Sequence, residues 1–198
     1  MSELRPRRML EAFGRHGCRS VVIGGIAAAM YGLTYETDDL DLLCDSSAEN
    51  LVLLAAALTE LGAVVAGSTK PPRPIEPDML SGFRILTFST EAGDVDLLFE
   101  AKGGFRYADV VEGAIEVDVG GAKASVCGRR QLIELKRASG RPHDMKAAAE
   151  LEAGELAREA IGAVPGTDAP TDQTEPGWLT DLLREPRSTS GPELEGPG

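Results

Sequence analysis

"DDLDLL" at residues 38–43 and "GDVDLL" at 93–98 decide the reading of this chain. Each places two aspartates one residue apart in front of a pair of leucines. Side chains at i and i+2 of a strand share a face. Asp39 and Asp41 therefore point one way, with Leu40 and Leu42 opposite; Asp94 and Asp96 likewise share a face, with Val95 and Leu97 behind them. Aspartate is depleted from strands, and like charges on facing positions repel. If the two strands are neighbours, up to four carboxylates meet on one side of a sheet, and within ~4–6 Å they raise one another's pKa. Divalent cations resolve that conflict, since Mg²⁺ is typically held by one or two carboxylates together with phosphate oxygens. Asp38 points away from Asp39 and reads as a solvent-facing neighbour, and Asp94, following Gly93, also fits a plain turn.

Working outward, residues 3–16 predict an amphipathic helix with Leu4, Met9, Leu10 and Phe13 as its apolar positions. "CRSVVIGG" predicts a buried strand, Arg19–Ile23, ending in Gly24-Gly25; "IAAAMYG" predicts a short helix closed by Gly32. Glycines at such a turn let the backbone approach a ligand, and the helix start offers unpaired N–H groups, although a plain tight turn has the same sequence. "SSAENLVLLAAALTELG" is a helix capped by Ser46 or Ser47 and ended by Gly62. "AVVAG" is a short strand, and the four prolines of residues 68–80 impose a loop. "GFRILTFST" and "GDVDLLFE" form a hairpin across "EAG", and "AIEVDVGGAKASVC" forms another turning at Gly120-Gly121. "GGFRYADVVEG" holds a short helix, "RRQLIELKRAS" a longer one, and a last helix starts near Pro142. The expected class is α/β (α+β): a mixed sheet with flanking helices.

Length and composition bound the rest. The 198 residues suffice for one domain with a core plus a tail, and aromatics at 5% leave the core to aliphatic packing. Residues 1–160 are expected to form the domain. Residues 161–198 are Pro/Gly-rich and acidic and are expected to be a disordered tail, interrupted by a short apolar turn near 178–183 (Trp178, Leu179, Leu182, Leu183) that either docks on the body or meets a partner. The net charge is −12, against broad, sequence-blind nucleic-acid binding. It is uneven: residues 145–198 carry four Lys/Arg and eleven Asp/Glu, so the globular part is only mildly acidic. No apolar run approaches a membrane span, and no apolar block follows the basic start, so neither a membrane nor a secretory signal is expected. Cys18, Cys44 and Cys127 are odd in number and lack C-x-x-C spacing, which fits free thiols in a reducing cytoplasm.

A strand, Gly24-Gly25, a short helix, Asp39-Leu40-Asp41 on the next strand and Asp96 on a later one together resemble the nucleotidyltransferase superfamily that includes DNA polymerase beta. Within it the chain is similar to a small bacterial group of minimal nucleotidyltransferases and abortive-infection toxin nucleotidyltransferases. That group's pattern, G-G, helix, G-x-x-R-x-T-x-D-h-D with h apolar, runs here from Gly32 through Thr37 to Asp41. "LIELKRASGRPHDMKAAAEL" resembles the group's helix pair, with Lys136, Arg141 and Asp144 in matching places. The resemblance covers roughly residues 5–155. It implies that Asp39, Asp41 and Asp96 hold two Mg²⁺ ions and carry catalysis, and that Gly24, Gly25, Lys136 and Arg141 bind the nucleotide. It also implies transfer of a nucleotide from ATP or another NTP to a hydroxyl of a tRNA, a protein or a small molecule, with a cognate antitoxin or toxin as partner. Tyr35 departs from the pattern by standing where the group has arginine: either Arg84, Lys136 or Arg141 compensates, or nucleotide binding is weak. Gly25 replaces a serine common in the wider superfamily.

Two readings stand beside this. One is a nucleotidyltransferase-like binding protein with little turnover, which Tyr35 favours. The other, a Ca²⁺-binding module, lacks an EF-hand loop. Residues 129–146 hold six basic residues, Arg129, Arg130, Lys136, Arg137, Arg141 and Lys146, against Glu134 and Asp144. They read either as a nucleotide- or RNA-facing surface or as a solvated helix face with i,i+4 pairs. Asp144 suits a helix start or a salt bridge to Lys136, and His16 and His143 read as surface residues.

Overall fold

The computed structural model describes residues 4–33 and 37–160. The expected tail, its apolar turn near 178–183 and Tyr35 lie outside the described residues. Helix α1 (Pro6–Arg15) starts with proline at its first turn, where a missing N–H has no cost, and buries Met9, Leu10 and Phe13. It is shorter than the periodicity predicts. Leu4 precedes it and packs beside Gly93, where an added Cβ would lie 2.9 Å from Leu4 Cδ1.

Strand β1 (Ser20–Val22) leads into α2 (Gly24–Met30), then β2 (Asp39–Cys44) and α3 (Ala48–Glu60). Ser47 occupies the N-cap of α3 but makes no side-chain cap; its hydroxyl donates to Asp45 Oδ2 and accepts from Arg19 instead. Strand β3 (Val64–Val65) precedes the proline loop, and β4 (Ile85–Thr90) and β5 (Gly93–Leu98) form the expected hairpin. Asp94 sits inside β5, paired across to Asp39 and Ser89, and is not a turn residue. The turn is held by Thr90, whose hydroxyl donates to the Gly93 carbonyl at 2.7 Å.

After α4 (Tyr107–Val110), strands β6 (Ile115–Val119) and β7 (Ala122–Val126) form the second hairpin. Gly120 and Gly121 both have positive φ, +62° and +85°, as the two central residues of a right-twisting hairpin turn require. Helices α5 (Arg129–Ser139) and α6 (Pro142–Ala160) pack against each other, and α5 also meets α2.

Among the described residues the strands make one mixed sheet in the order β3-β4-β5-β2-β1-β7-β6. The chain is thus α/β with a mixed sheet, as expected. β2 and β5, distant in sequence, are parallel neighbours at the centre. Leu40, Leu42, Val95 and Leu97 on one face of this pair are completely buried. Their alternation fixes the register, because a one-residue slip of either strand would turn its two aspartates into the core. Among the described residues no helix is long and apolar enough to cross a membrane.

Candidate functional site: a carboxylate cleft beside a glycine turn

The parallel register sets Asp39 opposite Asp94 and Asp41 opposite Asp96. One ligand atom each from Asp39, Asp41 and Asp96 can be chosen so that all lie within 4.8 Å of one another. Thr37, two residues before Asp39, donates its hydroxyl to Asp39 Oδ1 at 3.0 Å. On the other side Thr87, the cross-strand neighbour of Asp96 on β4, hydrogen-bonds the Asp96 carboxylate.

Gly24 closes the cluster from above. Its φ is +67°, and a Cβ there would stand 1.8 Å from Asp41 Oδ2. The glycine after β1 is therefore required twice, by backbone conformation and by the Asp41 carboxylate that fills the space of a side chain. The Ile23 amide donates to the Asp41 carbonyl at 3.0 Å, which ties the turn to the strand that carries the carboxylates.

These groups line a cleft of about 410 Å³. Gly24, Gly25, Asp39, Asp41, Asp96, Lys136 and Arg141 all face it, although they come from β2, β5, α2, α5 and the link between α5 and α6. Asp38 is exposed, as the alternation implies, yet it reaches the rim. Arg84 does not line the cleft; it pairs with Glu100 at 3.1 Å.

Lys136 is 5% exposed, and its Nζ donates to Asp144 Oδ1 at 2.7 Å. Ser139 donates its hydroxyl to the other Asp144 oxygen. Of the two roles open to Asp144, the salt bridge to Lys136 is present, so the lysine enters the cleft wall already part-neutralised. The basic run as a whole is not an open surface. Arg129 is buried with its guanidinium 4.6 Å above the Tyr31 ring. Arg137 pairs with Glu152 at 2.6 Å, and Lys146 with Glu150 at 3.7 Å. Arg141 is exposed and faces the cleft. His16 pairs with Glu60, away from the cleft; His143 is exposed on the cleft wall, beside Asp144.

The electrostatics follow from this crowding. The Asp41 carboxyl is pushed up to about 7, first by burial and then by Asp39 and Asp96, with Lys136 and Arg141 pulling it back. Asp96 is also raised, first by burial, against the Thr87 hydrogen bond and with Asp39 and Asp94 adding to the rise. Asp96 Oδ1 is buried without a hydrogen-bond partner. A buried carboxylate oxygen left unpaired costs roughly 1–3 kcal/mol or more. Three hard oxygen donors from two neighbouring strands, one of them unsatisfied, fit a divalent cation of the Mg²⁺ type. The three thiols are free; Cys44 and Cys127 are buried, and Cys18 is partly buried with its thiol pushed up to about 12 by desolvation.

Sequence reasoning gave Thr37 only as part of the motif and His143 as a surface residue, and passed over Ser139, Lys102 and Ile85; all five line the cleft. Strand alternation from Asp39 back to Thr37, and the helical i, i+3 spacing from Lys136 to Ser139, are the signals that point to Thr37 and Ser139.

A scan of protein-family models gives no match, and neither does a search of curated proteins. Among solved structures the chain is similar to the solution structure of the antibiotic-resistance factor ANT(2'')-Ia. The identity is 16% and the TM-score 0.47, over 89% of this chain and 85% of that one.

Proposed function

We propose that the chain is a Mg²⁺-dependent nucleotidyltransferase whose machinery occupies residues 1–160. The observation that carries this reading is the convergence of Asp39, Asp41 and Asp96 within 4.8 Å beside the Gly24 turn, in a cleft that also holds Lys136 and Arg141. Asp39, Asp41 and Asp96 would hold the magnesium, as two ions on the implied pattern. When bound there, it polarises the reacting phosphate and offsets charge on the attacking and leaving oxygens.

The residues divide the remaining work. Arg141 and the Asp144-held Lys136 receive the phosphates of the NTP, with the Gly24-Gly25 backbone beside them in the cleft wall. An acceptor hydroxyl forms a new bond to the α-phosphorus, the bond to the β-phosphate oxygen breaks, and pyrophosphate leaves. The hydroxyl proton passes to Asp96, the third carboxylate of the cluster. Positioning and charge neutralisation supply most of the rate in such chemistry. A tRNA, a protein or a small molecule can offer the hydroxyl, and a cognate antitoxin or toxin is the partner that the sequence resemblance suggests. A broad RNA-binding role for residues 129–146 loses support, because Arg129 and Lys136 are buried and Arg137 and Lys146 are engaged with glutamates.

The test is label transfer. With α-labelled NTPs, Mg²⁺ and cellular RNA or protein, the full chain should label an acceptor. Asp39→Asn and Asp41→Asn, each of which removes a ligand charge while keeping the side-chain shape, should lower transfer by about a thousandfold, a loss of about 4 kcal/mol of transition-state stabilisation. Equal transfer by these variants and the wild type would refute the assignment.

A further inference from the structure

Each aspartate of β5 stands between two neighbours. On one side the parallel register sets Asp96 beside Asp41 and Asp94 beside Asp39. On the other, the β4–β5 ladder sets Asp96 opposite Thr87 and Asp94 opposite Ser89. The Phe99 amide donates to the Arg84 carbonyl at 2.8 Å; hydrogen-bonded and non-hydrogen-bonded rows alternate from there, and Thr87–Asp96 is a non-hydrogen-bonded row. In such rows the Cα atoms approach to about 4.5 Å and the side chains lie closest. The Thr87 carbonyl points the other way and accepts from the Ala66 amide at 2.9 Å, just past the end of β3. Thr87 is thus pinned by its backbone to the chain after β3, while its hydroxyl bonds the Asp96 carboxylate.

We propose that Thr87 is a positioning residue: its hydroxyl holds the Asp96 carboxylate alongside Asp39 and Asp41, so that the three form a divalent-cation site in advance of the ion. The inference rests on the metal site of the nucleotidyltransferase reading. Without a cation, Asp39 and Asp41 repel Asp96, and its side chain can turn away from them. A hydrogen bond from a fixed neighbour opposes that turn. Threonine suits the task, because its branched Cβ restricts the side-chain torsion that aims the hydroxyl. Asp96 Oδ1 stays buried without a protein partner, as an oxygen kept for a cation would. Outer hydrogen bonds to ligating carboxylates are typically worth about 10- to 100-fold in metal affinity. Ser89 supplies a built-in contrast: it stands in the same way opposite Asp94, which is not one of the three carboxylates that converge.

Titration of the full chain with Mn²⁺, the free ion being read by electron paramagnetic resonance, tests this. Thr87 is partly exposed and valine keeps its branched shape, so Thr87→Val should melt close to the wild type. It should nevertheless bind Mn²⁺ about tenfold more weakly. Thr87→Ser, which keeps the hydroxyl, should restore most of the affinity, and Ser89→Ala should bind Mn²⁺ as the wild type does. Unchanged affinity in Thr87→Val would overturn the proposal. So would a Thr87→Ser variant as weak as Thr87→Val, since the hydroxyl would then not be the agent. An equal loss in Ser89→Ala would overturn it too, by making the effect a general property of β4. Wild-type protein that binds no Mn²⁺ would remove the metal site and the positioning role together. Wild-type protein that binds Mn²⁺, with the expected order among the variants, but transfers no label would refute the nucleotidyltransferase reading and leave the role of Thr87 standing.

Discussion

At the scale of single residues, Gly24 and Asp41 are one unit. The turn after β1 has a left-handed backbone, and the Asp41 carboxylate stands where a Cβ would go. Gly24→Ala should therefore cost more than the roughly 1–2 kcal/mol of a left-handed alanine, because the carboxylate must also move. We expect a melting temperature lower by several degrees and Mn²⁺ binding, read by electron paramagnetic resonance, weakened at least tenfold. A variant that melts lower but binds Mn²⁺ normally would show that Asp41 can relocate without loss. The aspartates and the glycine pair were readable from strand alternation and the strand–Gly-Gly–helix order. The reason Gly24 must be glycine was not, since the obstructing atom belongs to a strand fifteen or more residues away in sequence.

At the scale of elements, the α5–α6 pair is organised around a charge buried at its start. Lys136 and Asp144 are both about 5% exposed and meet at 2.7 Å. Removing one member of such a pair is strongly destabilising, by about 3–5 kcal/mol, whereas replacing both with apolar residues is often neutral. Asp144→Leu should thus lower stability to urea by about that amount, and the double variant Asp144→Leu/Lys136→Met should recover most of it. If the double variant remains as unstable as the single one, the pair is not the source of the cost. Helix existence was legible here: the Pro142 start and the apolar spacing of α5 both hold. Which basic residues face water was not, because Arg129 and Lys136 lie on the buried side of α5 and their charges are met by the Tyr31 ring and Asp144 from other elements.

At the scale of the whole molecule, the carboxylate cluster should make stability depend on pH and on divalent metal together. The Asp41 carboxyl is near 7 in the folded chain and near the ordinary value of 3.8 when unfolded. Between those values the folded state holds a proton that the unfolded state has released. That contribution to stability is fully present below about pH 4 and is lost as pH rises through about 7. With EDTA present, the melting temperature should accordingly carry a component that falls from pH 5 to pH 8, and Asp41→Asn should flatten it. Mg²⁺ should raise the melting temperature more at pH 8, where the carboxylates are ionised, than at pH 5. An identical Mg²⁺ response at both pH values, or an unchanged slope in Asp41→Asn, would count against a shared metal site.

By itself the sequence determined the strands and helices, the two hairpins, the face on which each aspartate stands, and the apolar face behind it. Period-2 and period-3.6 patterning, glycine turns and proline starts are local properties, so a local reading reaches them. Only the tertiary structure decided that β2 and β5 lie side by side and in parallel, setting Asp41 against Asp96 across more than fifty residues of chain. It alone also decided that Lys136 is enclosed with Asp144 and that Ile85 is left open in the cleft. Strand order and side-chain enclosure are set by what packs on each face, and those partners are contributed by segments remote in the chain.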